Sequence, residues 1–528
     1  MSDRPDPIAS YVARPFGTFA ELFRLQAQAR PDHAAIVCED RTITYAELDS
    51  LADRVAASLQ SDGVQPNGVV AICAAASIDY AAVFIGTLRA GAAISPLAPS
   101  ATAEQLAAMI EDSGASHLFA DAQVSRHFEP VAARIEARRI ALEENATGTP
   151  LATWLAPAGT SPSPVTIDPD QAFNIIYSSG TTGTPKGIVQ SHRMRWPHNH
   201  LGDPPGYGPD GIAIVSTPLY SNTTLVSFLP ALAGGGTVVL MAKFEPRRFL
   251  ELSERHKVGF AMLVPVQYRR ILEVKDFDTF DLSSYRVKYA TSAPFAAELK
   301  AEVLRRWPGG LIEYYGMTEG GGSCMLVAHE HPDKLATVGR PMEGHDIRVI
   351  GDDGAVLGAG QPGEVVGRSG AMMNGYHNKP EQTAAAEWIS PQGERFIRTG
   401  DLAVIDDDGF FTLIGRKKDV IISGGLNLYP VDLEEALLAH PAVREAAVVG
   451  APSDQWGETP VGFVTLAADA RDQGEDLRAF ANARLGKMQR LSAVRVITEM
   501  PRSAIGKILK RELVDRIQSE QANAKQET

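Results

Sequence analysis

A stretch of eleven residues, Tyr177 to Gly187, concentrates side chains that suit phosphate binding. It contains three glycines, five serine or threonine hydroxyls and one lysine. Glycines let backbone N–H groups approach phosphate oxygens, hydroxyls donate to those oxygens, and Lys186 neutralises charge. The spacing does not fit a Walker loop, Gly-x4-Gly-Lys-Ser/Thr, and a flexible turn is the alternative interpretation. The candidate phosphate ligands are Ser178, Ser179, Gly180, Thr181, Thr182, Gly183, Thr184 and Lys186.

A second segment, Tyr315-Gly-Met-Thr-Glu319, combines an aromatic ring, a hydroxyl and a carboxylate. It follows a strand predicted at 311–314, and parallel sheets present ligand sites at the carboxyl ends of their strands. Tyr315 can stack on adenine, Thr318 can meet an α-phosphate, and Glu319 offers a hard oxygen ligand for Mg²⁺. A turn beside a core tyrosine is the alternative. Gly316 and Met317 complete the candidate adenine site.

Three residues further along the chain also have types that suit a nucleotide. Asp401 ends a predicted strand, where its carboxylate can accept hydrogen bonds from two ribose hydroxyls. An Asp after Gly is otherwise a turn or cap residue. Arg416 precedes two lysines, and Lys507 lies in a basic, glycine-containing loop, so solvated surface charges are the alternative for both.

With these segments, the chain resembles the adenylate-forming superfamily, which contains acyl- and aryl-CoA synthetases, peptide-synthetase adenylation domains and firefly luciferase. Acyl-CoA synthetases are the most similar members. Five motifs occur in the same order, and their chance agreement is negligible. They are Tyr177 to Gly187, Tyr315 to Glu319, Arg398-Thr-Gly-Asp401, Gly415-Arg-x-x-Asp419 with Gly424-Gly-x-Asn-x-x-Pro430, and Pro501-Arg-Ser-Ala-Ile-Gly-Lys507.

The resemblance implies roles for residues around the nucleotide. It assigns Asp401 and Arg416 to the ribose. Lys507 would bridge the substrate carboxylate and the α-phosphate, where a cation offsets the repulsion between the two anions. The residues implied to be catalytic are Lys186, Thr318, Glu319 and Lys507.

The resemblance also implies how the second substrate enters. Lys418 occupies the position about which the small domain rotates between two half-reactions. Gly424 and Gly425 would let the pantetheine arm of CoA approach the backbone closely. Trp456 resembles a position that stacks on the CoA adenine in some members, with a packing role as the alternative.

The expected acyl pocket departs from the family pattern. In Pro218-Leu-Tyr-Ser221 a serine replaces the common histidine, which puts gating by histidine in doubt and predicts a roomier or more polar tunnel. Thr291 and Ser292 replace glycines often found there and would narrow the pocket. The glycines after Glu319 predict a bare and flexible wall. The residues assigned to the pocket are Tyr220, Ser221, Thr223, Thr291, Ser292 and Gly320.

The elements that must position these residues alternate between strand and helix. From about residue 17 to 330, short apolar runs such as 68–73 and 173–177 alternate with helical patterns, which predicts an α/β fold with doubly wound sheets. Short β segments and turns at 338–415 predict a small β subdomain. We therefore expect a large N-terminal domain, 1–417, followed by an α+β C-terminal domain, 418–528, which the resemblance implies is mobile.

Composition excludes several other classes. The hydrophobic fraction of 44% and charged fraction of 22% are typical of a soluble globular protein. A net charge of −14 disfavours nucleic acid and anionic lipid. Without a leader or a long apolar run, we expect a cytoplasmic protein with no membrane span. The three cysteines are too few and scattered for a zinc site. His192, His198 and His200 lack metal spacing, which favours packing and loop roles.

The resemblance thus predicts an ATP-dependent acyl-CoA synthetase, an AMP-forming acid-thiol ligase that uses ATP, Mg²⁺ and CoA. It would activate an aryl, arylpropenoate or medium- to long-chain fatty acid as acyl-AMP, release pyrophosphate and transfer the acyl group to the CoA thiol. No acidic residue lies between Pro218 and Thr224, which favours an uncharged acyl tail over an amino acid. The alternatives are a ligase that loads a carrier protein and an inactive nucleotide-binding regulator. The sequence leaves a homodimer open.

Overall fold

A computed structural model describes residues 6–178, 186–200, 207–424, 426–453, 455–467, 470–471, 473–486, 489–503 and 506–526, without the side chains of His200 and 521–526. The chain forms two compact units. Unit 1 comprises Met1–Ile347 and Gly367–Ile397, and unit 2 comprises Arg348–Val366 and Arg398–Thr528. The predicted boundary at Lys418 and the predicted β subdomain stay predictions.

The strands are β1 (Ala34–Cys38), β2 (Arg41–Thr44), β3 (Val69–Cys73), β4 (Ala93–Pro96), β5 (His117–Ala120), β6 (Arg138–Ala141), β7 (Thr149–Pro150), β8 (Ala172–Ser178), β9 (Lys186–Ser191), β10 (Ile212–Val215), β11 (Thr237–Leu240), β12 (Phe260–Leu263), β13 (Val287–Ala290), β14 (Gly310–Tyr315), β15 (Cys324–Val327), β16 (Arg340–Pro341), β17 (Asp346–Ile350), β18 (Gly363–Arg368), β19 (Gly375–Tyr376), β20 (Glu387–Ile389), β21 (Arg395–Ile405), β22 (Phe411–Arg416), β23 (Ile421–Ser423), β24 (Leu426–Leu428), β25 (Val443–Ser453), β26 (Gly457–Leu466) and β27 (Ala493–Val496).

The α-helices are α1 (Pro7–Val12), α2 (Phe19–Ala29), α3 (Tyr45–Ser61), α4 (Ile78–Arg89), α5 (Ala103–Ser113), α6 (Ala122–His127), α7 (Leu151–Trp154), α8 (His192–Arg195), α9 (Asn222–Ala233), α10 (Pro246–His256), α11 (Pro265–Leu272), α12 (Ala297–Arg306), α13 (Pro380–Ala385), α14 (Pro430–Leu438), α15 (Gly474–Asn482) and α16 (Lys510–Gln526). Short 3₁₀ turns cover Glu129–Arg134, Trp196–His200, Phe277–Thr279 and Lys417–Asp419.

Two large sheets build unit 1. Their strand orders are β16-β15-β14-β13-β12-β10-β11-β1-β2 and β19-β9-β8-β4-β3-β5-β6-β7. Successive side chains of β3 enter different cores: Val70 and Ile72 pack in the larger core, which also contains residues of the first sheet, and Ala71 and Cys73 pack in a second core. Side chains alternate between the faces of a strand, so this sheet is buried on both faces. The predicted α/β fold with doubly wound sheets is confirmed.

The parallel strands are flanked by antiparallel pairs at three places in unit 1. These pairs are β1 with β2, β8 with β9, and β14 with β15. A parallel crossover needs a dozen or more residues, whereas seven separate β8 from β9, so the chain returns as a hairpin. The candidate phosphate loop therefore joins two antiparallel strands.

Unit 2 contains a smaller sheet of order β24-β23-β26-β25, with β27 parallel to β26. Val448 and Val464 pack with residues of α14 and α15 in one core. Val449 and Phe463 point to the opposite face and share a second core with Leu513 of α16. This is an α+β arrangement with a helix-covered sheet. In the described part of the chain, no helix is long and apolar enough to cross a membrane.

His192 lies in the core of unit 1 with 3% of its surface exposed. Its ring meets the edge of Phe173 at 5.1 Å between centroids. Burial lowers the pKa of His192 from 6.5 to about 4 because the imidazolium form would lose its hydration. In the described residues no group of three or more His, Cys, Asp or Glu side chains could hold a metal ion. Packing accounts for this histidine.

A neutral buried histidine makes stability depend on pH. As the pH falls below 6.5 the unfolded chain binds a proton before the folded one, so the folded state loses stability until the pH reaches about 4. Between pH 7 and pH 5 the free energy of unfolding of the wild type should fall by about 2 kcal/mol more than that of His192→Leu. Urea denaturation at the two pH values measures this difference. His127→Leu changes an exposed histidine and should follow the wild type; equal pH dependence of all three proteins contradicts the interpretation.

Candidate active site

The two ends of the candidate phosphate loop lie side by side in unit 1. Ser178 is the last residue of β8, Lys186 is the first of β9, and the two are register partners. Ser179, Gly180, Thr181, Thr182, Gly183 and Thr184 lie outside the described residues. Hairpin pairing thus fixes the point from which Lys186 extends.

One tyrosine connects Lys186 to Glu319. The ammonium of Lys186 lies 5.0 Å from the centroid of the Tyr376 ring. The Tyr376 hydroxyl donates to Oε1 of Glu319 at 2.9 Å. Burial, and then the neighbouring Glu319, raise the pKa of Tyr376 well above its usual value, so the hydroxyl stays protonated and keeps its donor. The arrangement sets a cation and a carboxylate on one aromatic side chain.

Tyr376 was not predicted from the sequence. It belongs to the two-residue strand β19, which pairs with β9 through Tyr376 and Ile188. The signal that could have found it is the dipeptide Gly375-Tyr376, with Gly375 at φ +147°. The sequence around such a glycine does not indicate a role for the aromatic residue after it. The role depends on the pairing of β19 with β9, which brings Tyr376 to Lys186.

The segment 315–319 follows β14 as predicted. Tyr315 ends that strand and pairs with Cys324. A Cβ atom at Gly316 would lie 2.8 Å from the Ser323 hydroxyl, so the turn is held close to its partner strand. Met317 packs on the cluster formed by Ile188, Met194, Met373 and Ile397. The carbonyl oxygen of Thr318 accepts a hydrogen bond from the Gln190 side chain at 2.6 Å.

The glycines after Glu319 are packed rather than bare. The amide of Met373 donates to the Glu319 carbonyl oxygen at 2.9 Å, and Gly320 forms a bridge with Met372. Gly320 has φ +76°, and a Cβ atom there would overlap the carbonyl oxygen of Ala371. The expectation of a bare and flexible wall is wrong, because close backbone approach is what requires glycine here.

Two predicted walls of the acyl pocket meet in unit 1. Ser221 and Thr223 are buried at the start of α9, and Tyr220, Thr291 and Ser292 are half-buried. The hydroxyls of Thr223 and Ser292 are hydrogen-bonded to each other. Thr224 turns away from them and donates to Thr217 at 2.7 Å. The start of α9 and the segment after β13 therefore form one polar wall.

Asp401 and Arg416 are brought together in unit 2. They are register partners of β21 and β22, and Nε of Arg416 lies 2.6 Å from Oδ1 of Asp401. The amide of Asp401 donates to the Thr399 hydroxyl at 3.0 Å. Gly400 between them has φ +69°, a left-handed conformation that glycine accepts at little cost. The two predicted ribose contacts thus belong to one hairpin.

A charged cluster precedes the predicted hinge in unit 2 and was missed from the sequence. Glu364 accepts from Arg398 through Nε at 3.1 Å and from Lys417 through Nζ at 3.2 Å. Burial alone would raise the pKa of Glu364, but the two cations outweigh it and lower that pKa. Lys417 also contacts Asp352 at 2.9 Å. Lys418 follows, exposed, within the 3₁₀ turn Lys417–Asp419.

The residues predicted for CoA and for the catalytic lysine are exposed in unit 2. Gly424 donates its amide to the Trp456 carbonyl oxygen at 2.9 Å, and the Trp456 side chain packs against its Cα. Trp456 is 43% exposed. Gly425 lies outside the described residues.

Lys507 is held in a turn. Its carbonyl oxygen accepts from the Ser503 amide at 2.9 Å, and its amide donates to the Ser503 hydroxyl at 3.2 Å. Arg502 donates to the carbonyl oxygen of the preceding Gly506 at 2.6 Å. The side chain of Lys507 is exposed from this fixed backbone.

Comparison with known proteins identifies the family of this chain. A family model described as "AMP-binding enzyme" matches residues 23–377, and one described as "AMP-binding enzyme C-terminal domain" matches 432–507. A feruloyl-CoA synthase of Amycolatopsis sp is 31% identical over 493 residues, covering 92% of this chain and 96% of that protein. A fatty acid–[acyl-carrier-protein] ligase, ScoC, of Streptomyces coeruleorubidus is 30% identical over 523 residues, covering 96% and 97%.

Among solved structures, ATP-bound MatB from Rhodopseudomonas palustris has a TM-score of 0.84 and 28% identity, covering 94% of this chain and 98% of that one. The chain belongs to the AMP-binding enzyme family. The resemblance to the adenylate-forming superfamily is thereby confirmed.

The contact between Tyr376 and Glu319 can be tested by removing one oxygen atom. Tyr376→Phe keeps the ring beside Lys186 but deletes the donor to the carboxylate. A hydrogen bond to a charged group contributes about 1.5–3 kcal/mol, so we expect acid-dependent ATP–pyrophosphate exchange to slow at least about tenfold. Tyr285→Phe, which deletes a buried hydroxyl bonded to Ser253 at 2.8 Å, is the matched control and should keep the exchange rate. Similar rates for both variants would show that Tyr376 does not position Glu319.

Proposed function

We propose that the chain is an ATP-dependent acyl-CoA synthetase that activates a carboxylic acid as acyl-AMP and transfers the acyl group to CoA. The observation that carries this proposal is the contact of Lys186 and Glu319 with Tyr376 at the end of the candidate phosphate loop. A cation there suits phosphate oxygens and a carboxylate suits a divalent cation. Similarity to a feruloyl-CoA synthase along 92% of the chain supports the acid-thiol ligase reaction.

In the first step a carboxylate oxygen of the acid attacks the α-phosphorus of ATP, and the bond to pyrophosphate breaks. The acyl-phosphate bond of acyl-AMP forms in its place. Lys186 and the hydroxyls of the loop offset negative charge on the phosphates, and Lys507 offsets it between the carboxylate and the α-phosphate. Asp401 accepts hydrogen bonds from the ribose hydroxyls, with Arg416 beside it.

The residues present fit Mg²⁺ bound largely by phosphates. Glu319 offers a carboxylate whose Oε1 is oriented by Tyr376. Mg²⁺ is commonly bound by one or two carboxylates together with substrate phosphates and water, so a cluster of protein ligands is not required. The ion would supply positive charge at the phosphates of ATP.

In the second step the CoA thiol attacks the acyl carbonyl carbon, the thioester forms and AMP leaves. We propose that unit 2 changes position between the steps by torsion about Lys418, as the family resemblance implies. Gly424, at φ +56° and exposed with the Trp456 ring packed against its Cα, is the proposed backbone contact for a pantetheine arm. A homodimer and a cytoplasmic location stay predictions.

The acid is proposed to be an aryl or arylpropenoate acid first and a fatty acid second. The first class is supported by the feruloyl-CoA synthase and the second by the carrier-protein ligase ScoC. The second relative also supports an alternative acceptor. Delivery of the acyl group to a carrier protein is therefore the second candidate function.

The reaction can be tested by pyrophosphate release with ATP, Mg²⁺ and a panel of aliphatic, aryl and arylpropenoate acids, with and without CoA. We expect CoA-dependent turnover on one class, with the thioester identified by its mass. Pyrophosphate release without a thioester would favour the carrier-protein ligase, and silence across the whole panel would favour the inactive nucleotide-binding regulator.

The role of Lys507 separates the two steps. We expect Lys507→Ala to slow acyl-AMP formation at least about a hundredfold, because it removes a cation from a site where anions meet. Thioester formation from synthetic acyl-AMP and CoA should stay within about threefold of the wild type, since the α-phosphate is already linked. Quenched time courses of acyl-AMP formation and of thioester formation measure the two rates.

A matched control is available three residues away. Lys510 forms an ion pair with Glu434 at 2.7 Å, and Lys510→Ala should leave both half-reactions near wild-type rates. Equal loss of both half-reactions in Lys507→Ala would refute the assignment.

A further inference from the structure

Arg195 is a fully buried cation at the end of α8. Its guanidinium donates to three side-chain carbonyl oxygens: to Asn174 from Nε at 3.2 Å, to Asn222 from Nη2 at 2.7 Å, and to Gln190 from Nη2. Its Nη1 atom is buried and has no hydrogen-bond partner among the residues that the structure describes. The ring of Phe173 lies 5.8 Å away.

All three hydrogen-bond acceptors of Arg195 are neutral amides. Among the described residues, no carboxylate forms an ion pair with this guanidinium. Burial lowers the pKa of Arg195 to about 9, so it stays charged at neutral pH. His198 adds no second positive charge, because burial and then Arg195 lower its pKa to about 3 and keep it neutral. Buried charges in proteins are ordinarily paired, so an uncompensated one needs an explanation.

The network around Arg195 connects two parts of the candidate site. Asn222 is the first residue of α9 and follows Ser221 of the predicted acyl pocket. Gln190 donates to Asn222 at 3.4 Å and to the carbonyl oxygen of Thr318 at 2.6 Å. The guanidinium of Arg195 is therefore separated by one side chain from the predicted acyl pocket and from the segment 315–319. The Ser221 side chain makes no capping hydrogen bond, so the amino-terminal end of α9 adds positive potential at the same place.

We propose that Arg195 is a buried electrostatic subsite whose counter-charge is the carboxylate of the bound acid substrate. It acts at a distance, through Asn222 and the Gln190–Thr318 contact, and so is a positioning residue. This inference rests on the proposed function and deepens it by naming the residue that favours an anionic acid. In a low-dielectric interior such a charge is little screened, which makes it effective without direct contact.

One isosteric substitution separates charge from packing. Oδ1 of Asn222 accepts from Arg195 and from Gln190. Neither bond uses the amide nitrogen, so Asn222→Asp can keep both while giving Arg195 a carboxylate partner. Asn222→Ala removes the acceptor but leaves the buried charge uncompensated. If charge matters, the aspartate variant is the more impaired; if only packing matters, the alanine variant is.

The experiment measures KM for the acid, KM for ATP and kcat in full-length protein, with urea unfolding of each variant. We expect Asn222→Asp to raise KM for the acid about tenfold or more, a loss typical of cancelling a close charge. We expect KM for ATP to change less than about threefold, and the unfolding midpoint to match or exceed the wild type because a buried ion pair has formed. Asn222→Ala should raise KM for the acid less and lower the unfolding midpoint.

Arg195→Lys and Arg193→Gln complete the set. Lysine keeps the charge and should bind the acid better than Arg195→Leu does. Arg193, exposed and paired with Asp170 at 2.8 Å, is a control two residues away that should behave as wild type. The inference is overturned by an Asn222→Ala variant that binds acid worse than Asn222→Asp, or by an effect on KM for ATP alone. Inactivity of the wild type would overturn the proposed function itself, and this inference with it.

Discussion

Repulsion between a carboxylate and a triphosphate is the constraint on which the arrangement of unit 1 depends. At about 4 Å and an effective dielectric constant of about 20, two unit charges interact by roughly 4 kcal/mol, and a triphosphate multiplies this cost. The chain as a whole has a net charge of −14, so the required positive potential must be local. We propose that unit 1 supplies it through Lys186, which lies at a strand end, and Arg195, which is buried among amides rather than carboxylates.

A single short stretch of chain carries most of these groups. Lys186 and Gln190 belong to β9 and Arg195 ends the helix that follows, so ten residues provide both of these cations and the side chain that holds the Thr318 carbonyl oxygen. Their orientation comes from elsewhere: β8 fixes the register of Lys186, and β19 brings Tyr376 over it. The local sequence provides the functional groups, and pairing with strands distant in sequence orients their side chains.

The same division explains what could be predicted from the sequence. Strands such as β3 and β8 were predicted because buried parallel strands are short apolar runs, and the resemblance of the motifs to the family implied roles for Lys186, Asp401 and Lys507. Tyr376 was missed because its meaning depends on a contact with Glu319 across 57 positions. Arg195 was missed because arginine is ordinarily exposed, and the neighbouring residues in this His-rich segment give no sign that its side chain is buried. For Gly320 the expectation failed in the opposite direction: composition suggested freedom, whereas close packing on the Ala371 carbonyl oxygen leaves no room for a side chain.

The acyl wall shows how a departure from the family pattern is accommodated. Ser292 replaces a glycine of that pattern and adopts φ +80°, a left-handed conformation that costs a residue with a Cβ atom about 1–2 kcal/mol. Its hydroxyl forms a hydrogen bond with Thr223, which contributes about 0.5–1.5 kcal/mol and offsets part of that cost. Thr223 lies in the first turn of α9, where Ser221 provides no capping bond, so the contact also fixes the start of the helix. Because each partner stabilises the other, the end of β13 and the start of α9 behave as one wall. We therefore propose that both segments jointly, and not a single gate residue, set the shape of the acid that fits.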